Sequence, residues 1–315
     1  MGQTSLVDVD KDGDLDWISG CSHGDVWWFE HQAPERWIRH SIGQHAGTDV
    51  GGTAFDVDGD GWVDQVSGTT WFRNPGNPRQ GAFTKHANGT IGRSHDNVAA
   101  DVDGDGKLDL FSMSDAADVY WYNIPADATK PWEGHYVGPA VHGGIAPRGV
   151  GDLDGDGDVD VVRSTGWFEN ADGKGTKWTW HGNIDGGHDG KFEDTTRSWI
   201  LDLDRDGDQD VVMCDTDRGG NDTGRVHWFE NGDGRGGSWQ RHAVASQKGD
   251  LHTLSVADFD NDGDPDLFSG EGPLGASGPD GKRRWFVWEN GDGRGGAWNE
   301  HLILEGPRCH EGVAA

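Results

Sequence analysis

Hydrophobic residues and basic residues are both scarce in this sequence, and each shortage excludes a class of protein. Of the 315 residues only 33% are hydrophobic, and no run approaches the ~18 consecutive apolar residues that a membrane helix needs. Lys and Arg number 26 against 56 Asp and Glu, which gives a formal net charge of −30. Such an acid surplus, without a basic patch, repels phosphate backbones. We therefore expect neither membrane insertion nor nucleic acid as a partner.

Cysteine is equally rare. The three cysteines, Cys21, Cys214 and Cys309, are too few and too odd in number for a disulfide framework. One bridge with one free thiol is compatible with this count, and so is a chain with no bridge at all. The cysteines therefore do not decide between an oxidising and a reducing compartment.

Aromatic residues supply the core material that aliphatic residues do not. Low hydrophobicity combined with high net charge is typical of disordered chains. However, 17 Trp and 11 Phe are spread along the whole sequence, and disordered segments lack such bulky side chains. The sequence therefore predicts a folded chain, and its acidity needs a specific cause.

The acidic residues concentrate in a nine-residue motif, Asp-x-Asp-x-Asp-Gly-x-x-Asp, that occurs six times. Each copy is followed by an aromatic run and then by an aromatic-x-x-His pair, such as Trp178 and His181. Repetition at intervals of roughly 50 residues is the signature of a repeat architecture. The repeats begin near residues 8, 56, 101, 152, 202 and 258.

Each repeat contains short aromatic or β-branched segments separated by Gly, Asn, Asp and Pro, which predicts four short strands. Four strands in about 50 residues match one blade of a β-propeller. A string of independent small β domains is disfavoured, because so few aliphatic residues cannot form a separate core in each repeat. We predict an all-β fold, with one β-propeller domain over residues 1–315.

The number of blades follows less directly from the repeats. Six aromatic runs predict six blades. The final CHEGVAA parallels the SHDNVAA that precedes Asp101, so residues 305–315 resemble a first strand. We expect this segment to close a six-bladed ring. The alternative is a seventh blade of which this sequence lacks a part.

The motif has the composition of a calcium loop. Aspartates at positions one, three, five and nine offer hard oxygen ligands, and the glycine at position six permits a sharp turn. Position seven varies chemically, as expected if only its backbone carbonyl reaches the ion. Oxygen-only ligation in a crowded anionic loop favours calcium over zinc, copper or magnesium. Without a Glu at position twelve or flanking helices, the motif is not an EF-hand, and the simplest alternative is an Asp/Gly-rich turn.

We therefore predict about six structural Ca2+ ions, one in each motif. The predicted metal residues, position seven included, are Asp8, Asp10, Asp12, Asp14 and Asp16; Asp56, Asp58, Asp60, Trp62 and Asp64; Asp101, Asp103, Asp105, Lys107 and Asp109; Asp152, Asp154, Asp156, Asp158 and Asp160; Asp202, Asp204, Asp206, Asp208 and Asp210; and Asp258, Asp260, Asp262, Asp264 and Asp266.

These loops, and the aromatic strands after them, resemble the FG-GAP/VCBS-repeat family of calcium-binding β-propellers over essentially the whole chain. A more distant similarity extends to the propeller domain of aldos-2-ulose dehydratase and to propeller polysaccharide lyases and lectins. The resemblance implies structural calcium loops between the first and second strands of each blade. Because the family includes adhesion modules, lectins and lyases, it does not fix the function. So much structural calcium implies an extracellular or periplasmic location, with a signal peptide that this sequence does not contain.

Residues that depart from the repeat are the candidates for a functional site. Two histidines stand six residues before the first Asp of a motif, and a third occupies the same position in the tail copy; they suit a general base or a three-His site for Zn2+ or another divalent ion. Nearby arginines suit a carboxylate clamp. The predicted catalytic residues are His95, His252, His310, Arg148, Arg197 and His188. The predicted substrate-binding residues are His45, His142, Arg163, Asp215, Arg218, Glu271 and Arg283.

Two functions fit these residues, and both have carbohydrate or polysaccharide as the partner. The first is a lyase or sugar dehydratase that acts by β-elimination. The second is a non-catalytic lectin-like or adhesion module. A purely structural protein–protein role would leave the His/Arg residues unused. The six Trp-x-x-His histidines are excluded from the site because their repetition indicates a structural role. We expect the chain to be a monomer.

Overall fold

Short β-strands make up about half of the described residues in the computed structural model, which describes residues 5–20, 24–44, 52–68, 70–87, 94–114, 118–184, 196–216, 220 and 223–306. Within these residues the strands form six sheets, and the one helical element is the 3-10 turn Pro279–Gly281. The fold is all-β, with six four-stranded β-propeller blades, as the sequence predicts. The chain divides between Ala140 and Val141 into two compact units, here called unit 1 and unit 2.

Unit 1 contains blades 1 to 3, in which each strand pairs with the next one along the chain. Blade 1 consists of β1 (Ser5–Val7), β2 (Asp16–Gly20), β3 (Asp25–Ala33) and β4 (Arg36–Gln44); blade 2 of β5 (Gly52–Phe55), β6 (Asp64–Ser67), β7 (Thr70–Arg73) and β8 (Thr84–Ala87); blade 3 of β9 (Asp96–Ala100), β10 (Asp109–Met113), β11 (Asp118–Asn123) and β12 (Glu133–Pro139).

Unit 2 contains blades 4 to 6 and one additional strand, β13 (Pro147–Arg148), which pairs in parallel with the first strand of blade 5, Thr196–Leu201. Blade 4 consists of β14 (Val150–Gly151), β15 (Asp160–Arg163), β16 (Gly166–Asn170) and β17 (Trp178–His181); blade 5 of β18 (Thr196–Leu201), β19 (Asp210–Asp215), β20 (Gly224–Asn231) and β21 (Trp239–Lys248); blade 6 of β22 (Ser255–Ala257), β23 (Asp266–Gly270), β24 (Arg283–Asn290) and β25 (Trp298–Gly306). The predicted closing strand lies outside the described residues beyond Gly306.

Tryptophans of the third strands fill the spaces between consecutive blades of each unit. Trp28, Trp71, Trp167 and Trp228 each belong to an apolar cluster that joins their own blade to the next one. All four are at most 2% exposed. A buried aromatic side chain removes roughly 150–250 Å2 from water, so a few tryptophans replace many aliphatic residues. This packing explains how a chain with so little aliphatic content can fold.

The GDGRGG runs form hairpin turns, as predicted, and they also receive the tryptophan of the preceding blade. Trp167 Nε1 donates to the Gly236 carbonyl at 3.3 Å, and Trp228 Nε1 donates to the Gly295 carbonyl at 3.1 Å. Both glycines have φ near +65° (64° and 70°), which side chains rarely adopt. A Cβ at Gly236 would lie 2.5 Å from the Trp167 ring. Glycine is therefore required at this contact between blades.

The Trp-x-x-His histidines have a structural role. Each histidine on a fourth strand stacks on the third-strand tryptophan opposite it, with ring centroids 4.3–4.5 Å apart in blades 1 to 5. In four blades its Nε2 also lies 2.6–2.8 Å from a third-strand glutamate. Blade 6 is the variant, because Val287 stands opposite His301. These histidines tie the third strand to the fourth.

Alanine substitutions of three of these histidines should show how much the ring stack and the glutamate contact each contribute to stability. His181 has both the stack and the glutamate, His86 has the stack alone with Arg73 at the glutamate's place, and His301 has the glutamate without the stack. We expect His181→Ala to cost about 1–2 kcal/mol in urea denaturation, and the other two less, because a ring stack contributes ~0.5–1.5 kcal/mol and a part-exposed ion pair less. Equal losses in all three would contradict this role.

Candidate metal centres and the opposite strand ends

Each Asp-x-Asp-x-Asp-Gly-x-x-Asp motif connects the first strand of its blade to the second. The second strands begin at position nine of the motif, at Asp16, Asp64, Asp109, Asp160, Asp210 and Asp266. All six motifs therefore lie at the same end of their blades, here called the loop end. The other end, where second strands finish and third strands begin, is called the opposite end.

The aspartate at position one holds the turn of each loop. Its Oδ2 accepts a hydrogen bond from the N–H of the glycine at position six, at 2.8–3.2 Å in all six loops. The six glycines have φ between 87° and 106°, a region that strains any other residue. The aspartate at position five accepts from the N–H of position seven at 2.9–3.3 Å. Each loop thus folds around its own carboxylates.

The aspartate at position nine anchors the loop to the blade. Its Oδ2 accepts from the N–H of position two at 2.9–3.2 Å. Its Oδ1 accepts from an N–H at the end of the third strand at 2.6–3.4 Å. All six of these aspartates are at most 3% exposed. One carboxylate therefore ties three chain segments together in every blade.

The carboxylates converge as a cation site requires. In blades 1 to 4 the oxygens of positions one, three and nine lie within 4.8 Å of one another. Like charges so close together repel unless a cation or protons neutralise them. In addition, Oδ1 of Asp158, Asp208 and Asp264 is buried and has no hydrogen-bond partner. Orphaned buried oxygens and a donor set made of oxygen alone fit a divalent cation, so these clusters can bind metal ions.

Position seven contributes more than the sequence suggests. Where it is an aspartate, in Asp14, Asp158, Asp208 and Asp264, the side chain turns one buried oxygen inward. At the other two positions the side chains turn elsewhere: Trp62 lies under the Lys11 ammonium at 4.4 Å, and Lys107 pairs with Asp105 at 2.9 Å. The predicted role of the position-seven carbonyl stays a prediction.

Burial changes the titration of these carboxyl groups. It raises the pKa of Asp16, Asp64, Asp109 and Asp210 to about 7 and that of Asp160 to about 8. At position seven, burial and then the neighbouring carboxylates raise the pKa of Asp158 to about 7 and of Asp208 to about 6. Without a cation, these groups are therefore partly protonated near neutral pH.

The raised pKa values predict opposite pH dependences with and without metal. A carboxyl group whose pKa is higher in the folded state favours folding below its unfolded value near 4 and loses that contribution as pH rises through about 7. Metal binding requires the deprotonated form and releases protons. We therefore expect the melting-temperature difference between calcium and EDTA samples to grow from pH 5 to pH 8. A difference that is constant over this range would contradict the burial of these groups.

In unit 1, the described part of the opposite end contains His95 at the start of blade 3. Its Nδ1 lies 2.8 Å from Asp96 Oδ1, and the two residues are 4% and 2% exposed. Its backbone N–H donates to the Met113 carbonyl at 2.7 Å. His95 is therefore a buried, carboxylate-paired histidine.

In unit 2, the opposite end of blade 5 contains a buried polar group. Arg225 Nε donates to Asp215 Oδ2 at 2.6 Å, and these residues are 6% and 0% exposed. Arg197 is 8% exposed and stands opposite Cys214 in the sheet. Burial raises the pKa of the Cys214 thiol to about 12, so this thiol is unreactive at neutral pH. A buried ion pair is costly to desolvate, and removal of either partner would leave an uncompensated buried charge.

Glu271 holds the long loop that follows β23. Its carboxylate accepts hydrogen bonds from the backbone N–H of Gly249 at 2.7 Å, of Ser277 at 3.0 Å and of Arg284 at 3.0 Å. The Ser277 hydroxyl donates to it at 2.5 Å. The predicted substrate-binding carboxylate is thus occupied in ordering its own loop.

Arg283 and His252 belong to the same loop cluster of blade 6. The Arg283 guanidinium donates to the carbonyls of Gly272 and Pro273. The backbone N–H of His252 donates to the Gly270 carbonyl at 2.9 Å, and His252 is 6% exposed. Like Glu271, both residues are hydrogen-bonded to the backbone of blade 6.

Two further arginines of unit 2 reach the surface. Arg163 lies over the Trp180 ring at 4.4 Å, and Trp180 is 38% exposed. Burial lowers the pKa of Arg163. Arg148 is exposed and lies 5.6 Å over the ring of Trp199. His142 is half-buried in the segment before β13. The remaining predicted site residues, His45, His188, Arg218 and His310, lie outside the described residues.

Sequence reasoning missed the residues that surround the motif loops. A carboxylate oxygen of Glu30 lies within 4.8 Å of those of Asp10 and Asp12, and the Arg79 guanidinium forms ion pairs with all three carboxylates. The only sequence signal for Glu30 is the repeated Trp-Phe-Glu of the third strands. Arg79 has no such signal, because it reaches its partner Asp12 across 67 residues.

Comparison with known proteins identifies the family. The model of the FG-GAP-like repeat matches residues 8–67, 101–163 and 202–269, which is more than half of the chain. The chain belongs to this family. No curated protein matches the sequence. Within the described residues, no helix has the length and apolar character needed to cross a membrane.

Two solved structures are similar to this chain at low sequence identity. The biofilm matrix protein Bap1 of V. cholerae is 16% identical, with a TM-score of 0.42 over 98% of this chain. This chain spans 41% of the length of that Bap1 chain. AofleA from Arthrobotrys oligospora is 11% identical, with a TM-score of 0.46 over 99% of this chain and 90% of the other.

Proposed function

We propose that this chain is a calcium-stabilised β-propeller that binds acidic carbohydrate outside the cytoplasm, through the opposite end of unit 2. The six motif loops are occupied by Ca2+, and the high calcium concentration of an extracellular or periplasmic space keeps them filled. The binding surface is separate from the loops, and the metal ions act on it only by stabilising the blades.

The observation that carries this proposal is the segregation of charge. Among the described residues at the opposite end of blades 4 and 5 are four arginines; Arg148 and Arg163 reach the surface, whereas Arg197 and Arg225 are buried, at 8% and 6% exposed. The carboxylate of Asp215 pairs with one of them. All motif aspartates lie at the loop end. Guanidinium groups recognise carboxylates and sulfates bidentately, so this end favours an anionic ligand.

Arg163 and Trp180 supply the chemistry for a sugar. An exposed tryptophan face packs on the apolar face of a pyranose ring, and the adjacent guanidinium can bind its carboxylate. Gly166 makes room for this pair, because a Cβ there would lie 2.8 Å from the Trp180 ring. An acidic sugar polymer such as a polyuronate matches both features.

The burial of the histidines favours binding over turnover. A general base must lie within hydrogen-bond reach of the proton that it removes. His95 and His252 are only 4% and 6% exposed, and His95 is already paired with Asp96. We therefore propose carbohydrate binding, rather than β-elimination, as the function of this chain.

Binding to polygalacturonate and alginate, measured by calorimetry beside neutral dextran, tests the proposal. We expect binding to the acidic polymers alone, weaker at high salt, with Arg163→Gln and Trp180→Ala each lowering the affinity by about tenfold. Arg235→Gln removes the same charge from an exposed hairpin at the loop end and should change nothing. Equal binding of dextran, or full affinity in both site variants, would refute the proposal. Unsaturated, ultraviolet-absorbing ends would instead identify a lyase.

A further inference from the structure

The six motif loops have unequal electrostatic surroundings. In blades 1 to 3 a lysine or arginine pairs with at least one motif aspartate. In blades 4 to 6 no lysine or arginine among the described residues pairs with a motif aspartate. The loops share one sequence pattern, but the side chains around them differ between the two units.

Blade 1 shows most clearly how a side chain acts as the cation. One nitrogen of Arg79, Nη2, lies 2.8 Å from Asp10 Oδ2, 2.5 Å from Asp12 Oδ2 and 2.8 Å from Glu30 Oε1. The side chains of Asp10 and Glu30 are 2% and 4% exposed. A metal ion in this loop must share the carboxylates of positions three and five with the guanidinium.

Blades 2 and 3 replace the third-strand glutamate by a neutral or positive residue. Arg73 stands at this place in blade 2, and it pairs with Asp58 at 2.5 Å and with Asp60 at 3.0 Å. Asn123 stands there in blade 3 and donates to Asp103 at 3.2 Å. In addition, position seven is not acidic in either loop. These loops therefore have fewer carboxylates, and some of these are already paired.

Blades 4 to 6 have two more carboxylates in each loop than blades 2 and 3; blade 1 also has both, in Asp14 and Glu30, and differs from blades 4 to 6 by the Arg79 guanidinium. The position-seven residues of blades 4 to 6 are Asp158, Asp208 and Asp264, each with a buried Oδ1 that lacks a hydrogen-bond partner. Asp264 is 7% exposed and interacts electrostatically with Asp262 and Asp266. The third-strand glutamate is retained in all three blades. Arg205 also interacts electrostatically with Asp264, but its guanidinium donates to the Gly263 carbonyl and forms no ion pair with a motif aspartate among the described residues.

We infer that the chain contains two classes of metal site, in which the loops of blades 4 to 6 hold their ions more tightly than the loops of blades 1 to 3. The side-chain carboxylates of Asp158, Asp208 and Asp264 act as additional oxygen ligands in the tight class. In the weak class, Arg73, Arg79 and Lys107 compete with the ion for the motif carboxylates.

The expected difference in calcium affinity between the two classes of site follows from charge alone. One additional carboxylate about 5 Å from a divalent ion strengthens binding by about tenfold at the high effective dielectric of a part-exposed loop. An arginine that is paired with two ligand carboxylates weakens the binding of the ion. The two classes should therefore differ by at least tenfold in dissociation constant, and unit 1 should lose calcium first as the free concentration falls.

Calorimetric titration of the calcium-free full chain with calcium, in parallel with elemental analysis in calcium buffers, tests this inference. We expect two sets of three ions in the unmodified chain. In the variant D158N/D208N/D264N, the affinity of the tight set should fall by about tenfold, so that the two sets merge. The variant E35Q/E133Q/D280N removes the same charge at exposed positions outside the motifs and should titrate like the unmodified chain.

A second variant tests the inference even if D158N/D208N/D264N folds poorly. R73Q/R79Q removes the competing guanidinium groups and should strengthen two sites of the weak set. Six equivalent ions in the unmodified chain would overturn the inference. So would unchanged affinities in both the D158N/D208N/D264N and the R73Q/R79Q variants, or a loss in E35Q/E133Q/D280N as large as in the loop variant.

Discussion

Removing divalent ions with EDTA is expected to lower the melting temperature of this chain by roughly 15 °C or more. An ion that binds only the folded state stabilises it by ~2.7 kcal/mol at a hundred times its dissociation constant, and in a chain of 315 residues each kcal/mol shifts the melting temperature by about 1.5 °C. About four filled sites suffice for this shift. The measurement is differential scanning calorimetry after dialysis against calcium or against EDTA.

Readdition of ions provides the control. Calcium should restore the melting temperature fully, and magnesium only in part, because magnesium requires octahedral geometry and keeps its water. Identical melting curves in calcium and in EDTA would mean that the motif loops are Asp/Gly-rich turns without a stabilising ion.

Substitution of a position-nine aspartate should have the largest effect of any single change in a loop. Asp160→Ala removes the acceptor of two buried N–H groups, those of Leu153 at 2.9 Å and Asn170 at 3.0 Å. Each unsatisfied buried donor costs about 1–3 kcal/mol, so we expect a loss of about 2–4 kcal/mol even in EDTA. Chemical denaturation of the metal-free and calcium-loaded protein measures this loss.

Asp156→Ala is the matched control for that substitution. Asp156, at position five of the same loop, is exposed and accepts hydrogen bonds only from within the loop. In EDTA its substitution should cost far less than that of Asp160, whereas in calcium both variants lose a ligand. Equal costs in EDTA would show that position nine does not anchor the blade.

The repeat predicted the fold because it encodes local structure. The motif loop, the aromatic third strand and the glycine turns each occur in every repeat or in several of them, and each is defined by residues close together in sequence. The structure confirms six blades, hairpin turns at the GDGRGG runs and loops between first and second strands. The net charge has the same origin, since six motifs contain 24 of the 56 acidic residues.

The surroundings of the loops could not be predicted, because the side chains involved come from other repeats. Arg79 of blade 2 reaches the carboxylates of blade 1, and Trp167 of blade 4 reaches Gly236 of blade 5. Neither pair has a spacing that a local pattern would reveal. The inward turn of the Asp158 side chain also depends on the loop geometry and not on its sequence neighbours.

The exposure of the candidate binding residues could not be predicted from the sequence either. A histidine or arginine that breaks a repeat stands out in the sequence, but its exposure does not. Glu271 and Arg283 order their own loop, His95 is buried against Asp96, and Arg163 reaches the surface beside Trp180. The Asp215–Arg225 pair depends on the register of two neighbouring strands, which places its two members together.

The number of metal ions bound to the intact protein decides whether the motif loops are metal sites. We expect the six motif loops to bind divalent cations that stabilise the blades. Elemental analysis of protein purified in calcium and dialysed against metal-free buffer, supported by native mass spectrometry, should find about six calcium ions per chain, at least three of them after prolonged dialysis. A protein that folds, contains no bound calcium and melts at the same temperature with and without calcium would show that the motif loops are not stabilising metal sites.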